Sequence, residues 1–561
     1  MVHPHSLNPR RNSWLRLGIL AITCALNWVA TATAAEINDT FAGPTDTGWL
    51  RYTPLAASGT THSFAVTNGV YALGVGPSKI PLQASSRVGS IRPGIKWSNF
   101  DISIEFSGWD VGSKTNTVVF LVARQTGATN TAPYGPFSGY MLSIQPSSSP
   151  ELSADIEPQA RLVISSLDSN FTSPIAAAQL RDLKPGTWYR LRFLGKGSQL
   201  IGRVSKADSP EETIVEVAGT DNVYSSGFFS IGILDQAAEG GSVNNGAHAL
   251  FRNLHATDSP TDADLQSPSP ATNYTLTDDF SGASDAGWSH VNPFASLGLS
   301  NKFELIDGRY VLSAPPSPTP TTFAATVAAI RPEVDWSDFQ TSVDFTGWSP
   351  STKTNIYIMS AARGRANTDG TFDFYAARVV HSGNDSILGV ASNPFLIVER
   401  WEKSARSGFS EISGLWASTG LTPSKTYRLV FTGQWDLLTA KLYDLSNPNV
   451  PIAVCSLVDS ALRRGFVGLL GVDRFAQNGS GNSGVRVAFD NFAAVGTPVN
   501  LAINSAGTLQ WPSIFTGWKL QQSVKPEGPW ATTTFTGGVV GTNVVVNTGN
   551  TGSGYFFRLT K

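Results

Sequence analysis

The chain has 561 residues, with 40 Lys and Arg against 42 Asp and Glu, and only two cysteines. That length predicts three or four domains, and the near-neutral balance gives no electrostatic basis for nucleic acid or an anionic membrane surface as partner. Cys24 lies in the leader described next and Cys455 stands alone in the remainder, which excludes a disulfide framework and leaves ordinary apolar cores to hold the domains.

At the N-terminus, Arg10, Arg11 and Arg16 precede the apolar run Leu17 to Ala25, and Ala30-Thr-Ala-Thr-Ala-Ala35 supplies small residues. This is the pattern of a secretory signal peptide, residues 1–35, cleaved after Ala34 or Ala35. The residues around Arg10-Arg11 fit a twin-arginine signal poorly, and Thr23 before Cys24 counts against lipidation, so general secretion is expected. Cleavage removes three of the basic side chains and no acid, leaving a formal charge of −5. No later segment is apolar enough for long enough to span a bilayer. The expected location is periplasmic, cell-surface or extracellular, with contact to the cell envelope left open.

The next signal is a strand. In Trp97-Ser-Asn-Phe-Asp-Ile-Ser-Ile-Glu-Phe-Ser-Gly-Trp109, Phe100, Ile102, Ile104 and Phe106 alternate with Asp101, Ser103, Glu105 and Ser107. A period of two predicts a strand with one buried face. Further strands are predicted at Thr115–Arg124, Tyr140–Ile144, Arg161–Ser165, Trp188–Leu194, Leu200–Val204, Gly227–Leu234 and Ala249–His255, separated by Gly, Pro and Ser turns.

The same series then recurs. Trp336-Ser-Asp-Phe to Thr346-Gly-Trp348 repeats the opening strand, and Gly48-Trp49, Ile91-Arg-Pro93, Lys114-Thr-Asn116 and Ala123-Arg124 match Gly287-Trp288, Ile330-Arg-Pro332, Lys353-Thr-Asn355 and Ala362-Arg363. Gly227-Phe228 and Phe251-Arg-Asn253 match Gly465-Phe466 and Phe489-Asp-Asn491. Offsets this steady imply duplication of a whole domain and, with two long copies, no solenoid. The predicted division is 36–257, a Pro/Ser/Asp-rich extended linker at 258–272, 273–497, and a small module at 498–561. That last module carries Leu509-Gln-Trp511, Gly517-Trp-Lys-Leu-Gln-Gln522 and Tyr555-Phe-Phe-Arg-Leu559. The expected fold class is all-β: two tandem jelly-roll sandwiches followed by a small antiparallel β-sandwich.

The motifs Asp278-Asp-Phe280, Gly287-Trp288, Asp307-Gly-Arg-Tyr-Val-Leu312, Trp336-Ser-Asp-Phe339, Tyr427-Arg-Leu429 and Phe489-Asp-Asn-Phe492, in this order, resemble the concanavalin A-like lectin/glucanase superfamily. The specific likeness is to its laminin-G-like modules in secreted bacterial proteins. The tail resembles a small β-module found at the C-termini of exported bacterial proteins. The resemblance implies sugar binding, glycoside hydrolysis or adhesion, and the fold alone does not choose among them.

Hydrolases of that superfamily place their carboxylates along one strand as Glu-x-Asp-x-(x)-Glu, and no such run occurs. Glu151, Asp155 and Glu157, and Glu399, Glu402 and Glu411, read as solvated loop acids. Glu105 and Asp344 occupy matching positions on the polar strand face, where each is a candidate to orient a sugar hydroxyl or ligate calcium. The competing reading is an ion pair with a cross-strand Lys or Arg. Asp279 and Asp490 are candidate calcium ligands of the second copy alone, against strand-end capping. Arg124, Arg363, Arg92 and Arg331 are expected to pair structurally. The histidines of the mature region (His62, His248, His255, His290 and His381) form no short metal-ligand spacing. Tryptophans 49, 97 and 109 have partners 288, 336 and 348 and are expected to pack inside, whereas Trp401, Trp416 and Trp435 are unshared and are the candidate sugar-stacking residues. The expectation is a secreted, non-catalytic, carbohydrate-binding protein whose partner is a polysaccharide or other glycan and whose site lies in the second copy. A glycoside hydrolase or other polysaccharide-active enzyme, and a structural or adhesion protein of the envelope, are the alternatives.

Overall fold

In the computed structural model the described residues are 35–80, 85–112, 115–127, 138–146, 160–168, 171–181, 183–235, 245–267, 275–292, 300–316, 324–349, 356–367, 371–381, 395–403, 405–406, 413–415, 421–473 and 484–498. In the tail they are 502–503, 508–512, 519–525, 529, 531–532, 537–540, 543–547 and 556–560. Strands dominate, and among the described residues no helix is long and apolar enough to cross a membrane.

The first copy is a two-sheet jelly-roll sandwich. Its front sheet runs His62–Thr67, Val70–Val75, Ala247–Thr257, Phe100–Ser107, Tyr189–Lys196, Gln199–Lys206 and Ser209–Thr220, all antiparallel, and Glu36–Asp39 completes one edge of Ala247–Thr257. The back sheet runs Leu50–Tyr52, Arg87–Trp97, Gly227–Asp235, Thr115–Thr126, Ser138–Gln145, Arg161–Asp168 and Phe171–Gln179. The second copy repeats this order. Its front sheet is Lys302–Ile306, Arg309–Ala314, Val485–Pro498, the latter half of Ala325–Thr346, Tyr427–Gln434, Leu437–Asp444 and Pro451–Val458. Its back sheet is Ser289–Val291, the first half of Ala325–Thr346, Gly465–Asp473, Ile356–Ala366, Phe372–His381 and Phe395–Glu402, with Ser413–Leu415 at the edge. Residues of 498–561 form two small antiparallel sheets, one around Thr508–Pro512 and Asn543–Asn547 and one around Lys519–Ser523 and Phe556–Thr560.

The alternation in Phe100–Ser107 sends Phe100, Ile102, Ile104 and Phe106 into the core, but its polar side is buried too. The expected solvent face is covered by arginines from the neighbouring strands. Arg192 holds Asp101 at 2.6 Å, and Arg252 holds Glu105 at 2.8 Å. The shared tryptophans Trp49, Trp109, Trp288 and Trp348 are buried as expected. The indole N–H of Trp49 donates to Asp39 and that of Trp288 to Asp278, which gives the Asp…Gly-Trp spacing its structural reason.

Residues 258–267 are not the free extended spacer that their composition suggests. Thr261 caps a single helical turn, Asp262–Leu265, through a reciprocal pair of bonds with Asp264. Arg192 and Lys196 bind Asp264 and Asp262, each at 2.6 Å. Leu265 is pressed among Leu194, Ile201, Ala218, Val450 and Val454, side chains of both sandwiches. Pro and Ser raise the cost of regular structure locally, but tertiary anchors supply the difference.

The sandwiches meet at corresponding edges. Ser209–Thr220 of the first pairs antiparallel with Pro451–Val458 of the second at Ala218 and Val454, and Phe171–Gln179 touches the same strand at Ala178 and Ser456. Ser456 Oγ donates to the Gln179 carbonyl at 2.5 Å. Val458 N donates to Gln179 Oε1 at 2.9 Å. Covering one exposed edge with another removes two aggregation-prone borders at once.

Candidate functional site

The back sheet of the second copy carries a second apolar cluster on its outer face, opposite the sandwich core: Tyr357, Met359, Phe374, Phe395, Ile397 and Leu470 among others. Strand pairing explains the convergence. Met359 lies beside Arg378, Arg378 beside Ile397, and Phe374 beside Trp401, so side chains far apart in sequence form rows across four strands. Between them is a small hollow of ≈ 40 Å³, walled by the buried Met359, Phe374, Phe466 and Leu470 and the half-buried Phe372 and Trp401, with smaller residues around them.

Trp401 is half-buried in this wall. Its ring stacks on Phe374 with centroids 5.6 Å apart and planes 9° from parallel. Its indole N–H donates to Glu399 Oε1 at 2.6 Å, which fixes the ring's orientation. Glu399 is buried and bound to the equally buried Arg378 at 3.0 Å. The Arg378 guanidinium lies 4.1 Å from the Tyr357 ring centroid and 5.8 Å from that of Phe395. Glu399 is therefore no solvated loop acid: it points from a strand interior into a buried charge pair. Sequence reading missed Arg378, Glu399 and Phe374. The available signal was comparison of the copies, because strand register puts Ser143, Ser165 and Gly139 at these positions in the first copy and Leu167 at that of Trp401.

At Ile330 and Phe466 the hollow adjoins a larger, more polar cleft of ≈ 620 Å³, whose walls include Asp335, Arg365, Arg463 and Arg464. Phe372 meets Phe466 edge to face at 5.9 Å near the junction. Arg365 binds the buried Asp373 at 2.6 Å, and Arg464 donates to Asp335 with its Nε at 2.9 Å. Beneath lies Arg363, fully buried, donating to the Ser337 carbonyl at 2.6 Å. Burial lowers its pKa to about 10, and the nearby charge of Arg463 pushes in the same direction, yet the group stays charged at neutral pH. The matching Arg124 donates to three carbonyls, those of Ser98, Tyr224 and Gly197. Both arginines have positive φ, at 50° and 48°, and sit where the strand register shifts.

The cleft depends on Gly465, whose φ is 148° and whose missing Cβ leaves room for the Gly364 carbonyl. Gly465→Ala is expected to cost about 1–3 kcal/mol through that collision, read as a lower denaturation midpoint. An unchanged midpoint would show that the bulge at Gly364 is not held against this strand.

The other expected site residues fall elsewhere. Trp416 lies outside the described residues. Trp435 is remote in role: it occupies a left-handed hairpin position, φ 60°, and its ring lies under Arg181 of the first copy at 5.3 Å. Glu105 accepts from Arg252 and Asn253, and Asp344 from both arms of Arg428, at 2.7 and 3.0 Å, and from Asn491. Both are cross-strand ion pairs whose oxygens are occupied. Asp279 accepts from Ser281 in a local turn. Asp490 faces Asp344 across the sheet; burial, with Asp344 and Asp279 adding, holds its pKa above the ordinary range. Calcium demands six to eight oxygens. Here the third carboxylate is already taken by Arg428, and among the described residues no three His, Cys, Asp or Glu side chains converge as a metal site. Asp279 and Asp490 lie near enough for their charges to interact, with no third free carboxylate beside them among the described residues.

The sequence matches no protein-family model and no curated protein. Among solved structures it is similar to a protein of unknown function with a galectin-like fold from Bacillus subtilis, at 10% identity and TM-score 0.28 over 40% of this chain and 98% of that one. It is also similar to the exoplasmic/lumenal domain of VIP36 in a Ca2+/Man3GlcNAc-bound form, at 9% identity and TM-score 0.28 over 40% and 89%. Peanut lectin matches at 12% identity and TM-score 0.28 over 40% and 97%. Identities of this order carry no residue over to this chain.

Proposed function

We propose that this chain is a non-catalytic carbohydrate-binding protein, exported after loss of residues 1–35, with laminin-G-like sandwiches and a glycan site on the outer back sheet of the second one. The observation behind this reading is the juxtaposition of an oriented aromatic wall, Trp401 with Phe374, and a cleft carrying guanidinium and carboxylate groups, joined at Ile330 and Phe466. A pyranose has the matching chemistry: a C–H face that stacks on an aromatic ring and a rim of hydroxyls that hydrogen-bond to charged side chains. Binding then comes from stacking and hydrogen bonds, with no bond made or broken.

The test is pull-down and calorimetry of the mature protein against soluble and insoluble polysaccharides, beside Trp401→Ala. Loss of a single aromatic stack is expected to weaken binding at least about tenfold, an effect of the order of 1.5 kcal/mol, with the fold intact by circular dichroism. Release of reducing sugar during the incubation would replace this reading with the hydrolase alternative. Undiminished capture by envelope fractions in the presence of excess sugar would replace it with the adhesion alternative.

A further inference from the structure

The paired and unpaired charges of the cleft say more about the ligand. Arg365 is committed to Asp373 and Arg464 to Asp335. Arg463, between them in the wall, has no ion-pair partner among the described residues and is only partly buried. It also adds positive charge above the buried guanidinium of Arg363. The cleft walls and their immediate partners thus hold four arginines, with Arg363, against Asp335, Asp373 and Asp338, the last 3.7 Å from Arg363, and the one surplus cation, Arg463, lies in the wall that adjoins the aromatic hollow. The first copy has no such surplus at the matching place: Ser225 and Ser226 precede Gly227 where Arg463 and Arg464 precede Gly465.

A partly dehydrated guanidinium with no ion-pair partner among the described residues is an unfavourable arrangement, and an anionic ligand relieves it. The guanidinium fork also matches the two oxygens of a carboxylate or sulfate. We infer that the ligand of this groove is an acidic polysaccharide, one sugar ring lying against Trp401 and Phe374 and the anionic group of the chain bound by Arg463. The inference rests on the carbohydrate reading given above. It predicts that affinity resides in the charge as well as in the ring, so that binding falls with ionic strength.

The experiment compares polygalacturonate, its carboxyl-reduced neutral counterpart and a sulfated galactan, at low and high salt, on the full mature chain, Arg463→Gln and Trp401→Ala. The expected result is binding to at least one acidic polymer that exceeds binding to the neutral counterpart by about tenfold or more and drops by a similar factor in Arg463→Gln, the scale of one charge-assisted hydrogen bond. Polygalacturonate and the galactan separate carboxylate from sulfate as the recognised group. Equal binding of acidic and neutral polymers, unaffected by Arg463→Gln but lost in Trp401→Ala, overturns the acidic ligand and leaves the groove as a neutral glycan site. Failure of every polymer to bind overturns both readings.

Discussion

Arg378→Met is expected to destabilise the second sandwich by about 3–5 kcal/mol, lowering its thermal transition by roughly 10 °C. The reason is that Glu399, buried and paired to Arg378 at 3.0 Å, would lose its counter-charge inside an apolar wall while still accepting from the Trp401 N–H. Methionine reproduces much of the arginine's length and still packs against Tyr357 and Phe395, so lost contact area contributes little. The double variant Arg378→Met/Glu399→Gln should recover most of the loss, since no charge then remains unpaired and the amide oxygen still accepts from the indole. Differential scanning calorimetry on the three variants decides it. A single variant as stable as the parent, or a double variant no better than the single, would mean that the pair is not what holds this wall together. Recovery of stability without recovery of glycan binding would separate the pair's packing role from a role in orienting Trp401.

Glu216→Ala has the second large effect, at the junction of the copies. Arg203 reaches the Glu216 carboxylate at 2.7 Å and Lys441 of the second sandwich reaches it at 3.2 Å, with Ser267 also donating. Removal of the carboxylate leaves two cations facing each other in a largely closed interface, expected to cost about 3 kcal/mol of docking free energy. The sandwiches should then unfold in two separated transitions instead of together. Acid should produce the same change. Burial by itself would raise the pKa of Glu216, but Lys441 and Arg203 outweigh it and the net direction is downward. A carboxylate whose folded pKa is depressed stabilises the docked state above its unfolded pKa, and that contribution is lost as pH falls through the folded value, here below about 4.5. The transitions should separate in that acidic range in the parent, while Glu216→Gln should show no such dependence. Separation at neutral pH in the parent would contradict the interface.

The two effects differ in what each interaction joins. Arg378 and Glu399 hold together neighbouring strands of one sheet, and their loss acts on one sandwich. Glu216 holds two folding units and a stretch of intervening chain, so its loss acts on their coupling. That coupling keeps the aromatic groove of the second copy at a fixed orientation to the first copy, with Trp435 serving the junction through Arg181.

The sequence alone determined the all-β sandwich and its repetition. Alternation at Phe100–Ser107 and Phe339–Thr346, the Gly-rich turns and the steady offset between copies are local or simply periodic, and strand pairing needs little more. The shared tryptophans were legible for the same reason, since Trp49 and Trp288 meet the same Asp and aromatic neighbours in each copy. The groove was not legible. Trp401, Phe374, Met359 and Phe466 come from four strands, and only the register of one sheet brings them into a single wall. Glu399 reads as a loop acid because no strand is recognised around it, and Arg378 is hidden for the same reason. Their burial follows from cross-strand pairing, and a linear pattern carries no information about which distant strand lies alongside. The same limit governed the unshared tryptophans: sequence singled out Trp401 and Trp435 together, whereas tertiary structure put one in the groove and the other under an arginine of the opposite sandwich, because facing surfaces are set by how edges dock and not by the residues of either edge alone.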